Sequence, residues 1–211
     1  MTLRAGAGLS GTAIPVTVSW TGADNGGSGI ARYELARSLD GGSTRATPVN
    51  VASPAYPTTA ASAGTVRFRV RAVDRAGNIS GWALGVALAP ALSQQTATGV
   101  AFTGTWGSAA STSYSGGSAR YASARGAAVS YTFTGRGIAF VTTRAASRGA
   151  ARVYVDGVLV ATVDTWAATP GYRSVAWGRT WTTSGTHAVK IVVLGTVGRP
   201  RVDIDAFAIL R

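Results

Sequence analysis

Residues 65–74, TVRFRVRAVD, put Val66, Phe68, Val70 and Ala72 on one side of an extended chain and Arg67, Arg69 and Arg71 on the other. Side chains alternate faces in this way only along a strand, so a period of two commits the segment to a half-buried sheet. The same period appears in residues 14–20, where Val16, Val18 and Trp20 oppose Thr17 and Ser19, and again in Ala31, Tyr33 and Leu35. No window keeps apolar residues at i, i+3, i+4 and i+7 through three turns, so the chain is expected to be all-β. With 46% apolar and 13% charged residues it has material for real cores and falls outside the disordered class.

Turn residues divide the first ninety positions. Residues 21–29 form a loop, Asp40-Gly41 is a two-residue hairpin signal, residues 76–78 turn, and residues 79–88 supply a last strand. About seven short strands with an early Trp and a long late strand make the pattern of an immunoglobulin-like sandwich. The phrases PVTVSW, DNGGSGIARYELARSLDGG and VRFRVRAVDRAGNISGW resemble the fibronectin type III modules of secreted bacterial proteins, over residues 10–85. Many such modules carry Tyr where Val66 stands; the resemblance therefore implies a corner held by packing rather than by a tyrosine hydroxyl. The three arginines are expected to line a solvated outer face with Glu34 as a cross-strand partner; the alternative is an anion ladder.

Residues 90–98, PALSQQTAT, carry no pattern and are expected to be a linker. Strands are then expected at 100–106, 119–124, 128–133, 138–143, 151–156, 158–165, 172–181, 187–194 and 201–210, with Asp156-Gly157 as a second type I′ turn. Nine strands without a helix between them imply two packed antiparallel sheets, a jelly roll. The phrases FTGTW, SGGSARYAS, YTFTGRGIAFV, ARVYVDGVLVATVD, GTHAVKIVVLG and GRPRVDIDAFAIL resemble a C-terminal jelly-roll module of the galactose-binding-like, carbohydrate-binding-module type. The expected division is a sandwich over 1–90, a linker over 91–98 and a jelly roll over 99–211.

The chemistry-bearing residues are few. There is no cysteine, and the most apolar stretch, 82–92, is broken by Gly85 and Pro90 and too short to span a bilayer. Net charge is +12 with Lys190 as the only lysine, but the arginines are dispersed, so no specific nucleic-acid surface is expected. No apolar h-region follows the first four residues, and the module types imply a piece of a longer secreted or cell-surface protein with upstream domains. His187 is the only histidine and is expected at the start of a strand, packing at a sheet edge rather than serving a hydrolase triad. Asp156 is explained by its turn; Asp203 and Asp205 are expected on one side of one strand, solvated or paired with arginine. The Asp-rich loop of a calcium site is missing, and the Gly-rich phrases GADNGGSG and SGGSAR are not followed by Lys-Ser or Lys-Thr, so neither metal nor cofactor is expected.

The second half is rich in aromatics: Trp106, Tyr114, Tyr121, Tyr154, Trp166, Tyr172, Trp177 and Trp181. Trp177 shares strand parity with Val175 and is assigned to the core, whereas Trp166, in the loop 165–171, and Tyr114, in STSYSGG, are least explained by burial. With Tyr172 they are expected to form an aromatic rim, and Asp164 and Arg173 to bond sugar hydroxyls. These readings point to a non-catalytic accessory region that spaces and anchors a larger protein, with binding of a polysaccharide or cell-wall glycan by the jelly roll. The alternative is a purely structural spacer or adhesion stalk, its aromatics plugging the open ends of the sandwich.

Overall fold

The computed structural model describes residues 1–24 and 27–211; Asn25 and Gly26, in the glycine-rich loop, lie outside the described residues. The first half contains β1 (Thr2–Leu3), β2 (Ile14–Ser19), β3 (Ile30–Ser38), β4 (Val49–Val51), β5 (Ala55–Ala60), β6 (Arg67–Asp74) and β7 (Ala83–Leu84). They form two antiparallel sheets, β1-β2-β5 and β4-β3-β6-β7. Ile14, Val16 and Val18 of one sheet meet Leu35, Val66 and Phe68 of the other in one buried cluster, as the period of two requires. A register shift between Ile30 and Arg32 turns Ala31 outward, contrary to expectation. Asp40-Gly41 is not a two-residue hairpin either. Residues 39–48 form a longer loop in which the Asp40 carboxylate accepts from the backbone N–H groups of Gly42 and Thr44 and from the Ser38 and Thr44 hydroxyls. Val66 is buried and exchanges both backbone hydrogen bonds with Leu88, at 2.8 and 2.9 Å.

The second half contains β8 (Pro90–Gln94), β9 (Val100–Thr103), β10 (Gly107–Ala110), β11 (Ser118–Ala122), β12 (Ala128–Arg144), β13 (Ala150–Val155), β14 (Val158–Asp164), β15 (Gly171–Val193), β16 (Val202–Ile204) and β17 (Ala206–Leu210). The sole helical element among the described residues is a 3₁₀ turn at Ser115–Gly117. Asp156 and Gly157 both have positive φ, 51° and 82°, and join β13 to β14 in the tight turn the sequence predicts. The runs expected as separate strands at 128–133 and 138–143 are one bent strand, as are those at 172–181 and 187–194.

The bend makes the sandwich. Gly135 pairs with Gly185 but Gly137 pairs with Thr180, so residues 181–184 of β15 stand opposite Arg136 alone. On one side of the bend β12 and β15 pair with β9 and β13; on the other β12 pairs with β17, and β17 with β8. The two halves face each other. Tyr131, before the bend, stacks on Phe207 of β17 at 5.2 Å, and its hydroxyl lies 2.8 Å from Ser93 Oγ of β8. A third, small sheet, β10-β11-β16, closes the remaining side.

The sheet beyond the bend is buried on both faces. Ile138, Phe140, Phe207 and Ile209 point into the core of the second sandwich, while Ala139, Val141, Ala206, Ala208 and Leu210 join the cluster of the first sandwich beside Leu3, Leu9, Ile14 and Val16. Residues 6–9 add to the same sheet, with Gly6 and Leu9 donating to Val175 O and Arg173 O at 2.8 and 2.9 Å.

The expected linker is corrected by β8. Pro90 to Gln94 pair with Leu210 to Ala206, and Ala89 exchanges backbone bonds with Arg211 immediately after Leu88 has bonded Val66. Residues 91–98 looked patternless because Ser93 and Gln95, polar side chains, are the ones turned inward. Ser93 Oγ bonds the Tyr131 hydroxyl there, and the Gln95 amide nitrogen donates to Ser118 Oγ while its Oε1 is left without a partner.

A shared core predicts shared unfolding. Leu210→Ala should cost about 2–5 kcal/mol and lower one calorimetric transition for the whole chain. A first sandwich that melts separately, at an unchanged temperature, would show that the common cluster does not couple the two.

Candidate functional site

Loops gather at the end of the second sandwich where β14 hands over to β15. The loop 165–170 is fixed at its base: Thr165 is fully buried, its N–H and hydroxyl both donating to Gly149 O at 3.0 and 2.7 Å. Asp164, the last residue of β14, accepts from the Trp166 N–H at 3.0 Å and forms a two-pronged ion pair with Arg199 at 2.5 and 2.8 Å. That pair holds the Asp164 carboxyl below its ordinary range, the Arg199 hydrogen bond being the main cause. Trp166 is left 50% exposed and Tyr172 45% exposed.

Tyr114, expected on the rim, is buried instead and meets Tyr172 edge-on at 5.5 Å, so it supports that ring from beneath. Arg173, expected to reach sugar hydroxyls, is turned into the loop 111–117. It takes a positive φ of 53°, and its guanidinium donates to the carbonyls of Thr112, Ser113 and Tyr114 at 2.7–3.1 Å. The structure thus brings Tyr114, Tyr172 and Arg173 into one contact group and ties Asp164 to the Trp166 N–H and to Arg199. Asp164 and Arg173 act as clamps within the loops.

Beneath the loops lies a group for which the expected arginine pairing holds at Asp203, while the expected single strand and solvent exposure do not. Asp203 and Asp205 are not solvated, and the strand is interrupted between β16 and β17 at Asp205; both side chains are fully buried. Asp203 is held by Arg148 and by Arg201, the latter at 2.7 Å, so both oxygens face guanidiniums. Arg201 also lies 3.8 Å above the Tyr121 ring. Asp205 accepts the Ser115 N–H at 2.9 Å, and its other oxygen has no partner. The Ser115–Gly117 turn sits against Gln94, and Gly116 takes a positive φ of 65°, which favours glycine there. Among the described residues no group of three His, Asp or Glu side chains could hold a metal. The flanking run VDIDAFAIL, apolar on either side of each aspartate, was the available signal for their burial.

His187, expected to open a strand, sits inside β15. Its Nδ1 is 2.7 Å from Asp156 Oδ2 and its ring stacks on Trp181 at 4.0 Å. Asp156 accepts the Ala188 N–H as well, and these bonds keep its carboxyl below the ordinary range, the backbone bond contributing most.

Burial pushes the Asp205 carboxyl up to about 7, against the smaller opposing effects of the Ser115 N–H and Arg173. The folded chain therefore keeps a proton that the unfolded chain releases near pH 4, and stability falls as pH rises from about 4 to about 7, by up to ~4 kcal/mol, then levels off. Asp205→Asn should flatten this slope and raise stability at pH 8, checked by urea unfolding across pH. An unchanged slope would place the titration elsewhere.

No family model matches the chain. A curated protein described as an A type blood N-acetyl-alpha-D-galactosamine deacetylase, from Flavonifractor plautii, is 38% identical over 109 residues, 51% of this chain and 13% of that protein. The chain thus spans a small part of the length of its curated relative. Among solved structures, an exo-beta-1,3-galactanase from Phanerochaete chrysosporium with galactose aligns over 74% of this chain and 34% of its own, at 18% identity and a TM-score of 0.41. The CBM36-1 domain of a multidomain xylanase from the hindgut metagenome of Trinervitermes trinervoides aligns over 57% and 95%, at 15% identity and a TM-score of 0.40.

Proposed function

We propose that this chain is a non-catalytic accessory region of a secreted or cell-surface protein, and that its second sandwich binds a polysaccharide or cell-wall glycan through Trp166 and Tyr172. The observation that carries the reading is the two half-exposed rings at this end of the sandwich, Trp166 on a loop whose base is bonded down and Tyr172 at the start of β15. A sugar ring presents a flat C–H face that an aromatic side chain can cover, and rigid loops lower the ordering cost of doing so. The surrounding backbone supplies hydrogen-bonding groups at the margin.

The curated relative supports the carbohydrate part of the reading: its description names a sugar substrate, and the matched stretch is 13% of its length. The first sandwich is proposed to be a fibronectin type III-like spacer, on its three-plus-four strand order β1-β2-β5 and β4-β3-β6-β7. No helix among the described residues is long and apolar enough to cross a membrane. One observation favours the alternative, a rigid spacer without a small ligand: the hydrogen-bonding groups of Asp164 and Arg173 are occupied within the loops.

The two readings part on a retention experiment. Insoluble polysaccharides should retain the full chain, and Trp166→Ala and Tyr172→Ala should each abolish retention while moving the melting temperature little. The affinity at stake is modest, millimolar to micromolar, about 4–8 kcal/mol. Retention that survives both substitutions places the site elsewhere; no retention by any glycan supports the spacer.

A further inference from the structure

The outward face of the four-stranded sheet has a use that the proposed reading does not absorb. Strand alternation puts Arg67, Arg69 and Arg71 of β6 on that face, about 7 Å apart along the strand. Across the sheet they stand opposite Ser38, Ala36 and Glu34 of β3. Ala36 and Ser38, directly across from Arg69 and Arg67, are nonetheless buried. Glu34 is the single carboxylate in this array and is already shared, with Arg71 at 2.7 Å and Arg32 at 3.2 Å. Among the described residues, Arg45, Arg67 and Arg69 have no carboxylate within ion-pair distance. Arg67 and Arg45 are steadied by backbone carbonyls, those of Gly85 and Gly42.

Trp82 fixes the geometry. The guanidiniums of Arg69 and Arg71 lie 4.0 and 4.6 Å from the centroid of its ring. Stacking engages the flat face of a guanidinium and leaves its N–H edge free, the edge that bonds a carboxylate or sulfate in pairs. Arg69 Nε is buried without a partner, so an anion meeting this arginine from outside would bond its terminal NH₂ groups. Its proton affinity is lowered first by its own burial and then by the charges of Arg45 and Arg71, the sign of cations held together without a counter-ion. The mutual repulsion of Arg45, Arg69 and Arg71 is a cost that an added anion would relieve.

We propose that this face is a docking surface for an acidic polysaccharide, with Arg67, Arg69 and Arg45 contacting its carboxylate or sulfate groups and Trp82 holding the array in place. A row of cations at 7 Å spacing cannot be met by one small anion, so the ligand is a polymer with repeated charges. A single-stranded nucleic acid would need open aromatic rings on which to stack bases, and the Trp82 ring is already covered by guanidiniums. A protein partner would need an apolar centre, and this face carries the arginine row, with Leu84 at its margin.

The test uses the full chain, with immobilised heparin as a sulfated probe, polygalacturonate as a carboxylated one and a single-stranded oligonucleotide of similar charge as comparator, near physiological salt. The chain should bind heparin, polygalacturonate or both; heparin alone assigns sulfate, and both assign negative charge as such. Arg69→Glu should weaken binding about tenfold or more, the scale of one charge-assisted contact. Trp82→Ala should weaken it without changing net charge. Arg152→Glu, at an exposed position on β13 of the other sandwich, makes the same charge change and should leave binding nearly unchanged. Thermal melting separates loss of contact from loss of fold. Equal weakening by Arg152→Glu and Arg69→Glu would reduce the effect to overall charge and overturn the site. Equally tight, Arg69-dependent binding of the oligonucleotide would overturn the polysaccharide assignment, as would no binding to either polysaccharide.

Discussion

Everything in this chain depends on a sheet that has no solvent side. Ala206 to Leu210, the last strand, is buried at every position, and Ile138 to Val141 beside it likewise. Odd and even residues serve different cores: Phe207 and Ile209 fill the second sandwich, Ala206, Ala208 and Leu210 the first. Small side chains on the shared face, Ala139, Ala206 and Ala208, let the first sandwich approach closely. The first sandwich therefore has no free-standing core; part of its apolar wall belongs to its neighbour. Burial of apolar area is the dominant favourable term in folding, so a wall shared in this way couples the two units energetically as well as geometrically.

The same strand positions the candidate site. Asp205 stands where β16 gives way to β17, and the N–H it accepts from Ser115 ties the loop 111–117 to the core. Arg173 closes that loop from the other side through three carbonyls, and Tyr172, the next residue back, is thereby aimed outward over Tyr114. A buried carboxyl with one unmatched oxygen is an expensive way to anchor a loop, and its cost rises with pH. The exposed ring it helps to hold is where a ligand would be met, in keeping with the tendency of strain to accumulate near functional surfaces.

Arginine does more structural work than the net charge of +12 suggests. Arg148, Arg199 and Arg201 neutralise the aspartates of the loop end, and Arg173 organises backbone. The planar, multi-donor guanidinium suits each of these tasks in a way that lysine would not. Subtracting such clamps leaves the outward row on β6 as a concentration of unmatched charge, which a count over the whole sequence does not reveal.

Local pattern in the sequence determines most of the strands, the exclusion of helices, the Asp156-Gly157 turn and Glu34 as a cross-strand partner of the arginine face, because each rests on residues adjacent along one strand or directly across a hairpin or sheet. The runs IAFVTT and AFAIL also carried a signal of two-sided burial, since continuous apolar residues have no side left for water. What covers that second side is non-local. That residues 90–94 are a strand, that Tyr114 is buried while Tyr172 is not, that Asp164 and Arg173 bond inward, and that Asp205 lacks a partner were decided only by tertiary structure. The strand partner of Pro90 is Leu210, and the carbonyls that hold Arg173 lie some sixty residues earlier. A polar side chain in a sequence announces that it needs a partner; only the folded chain determines whether that partner is protein, solvent or ligand.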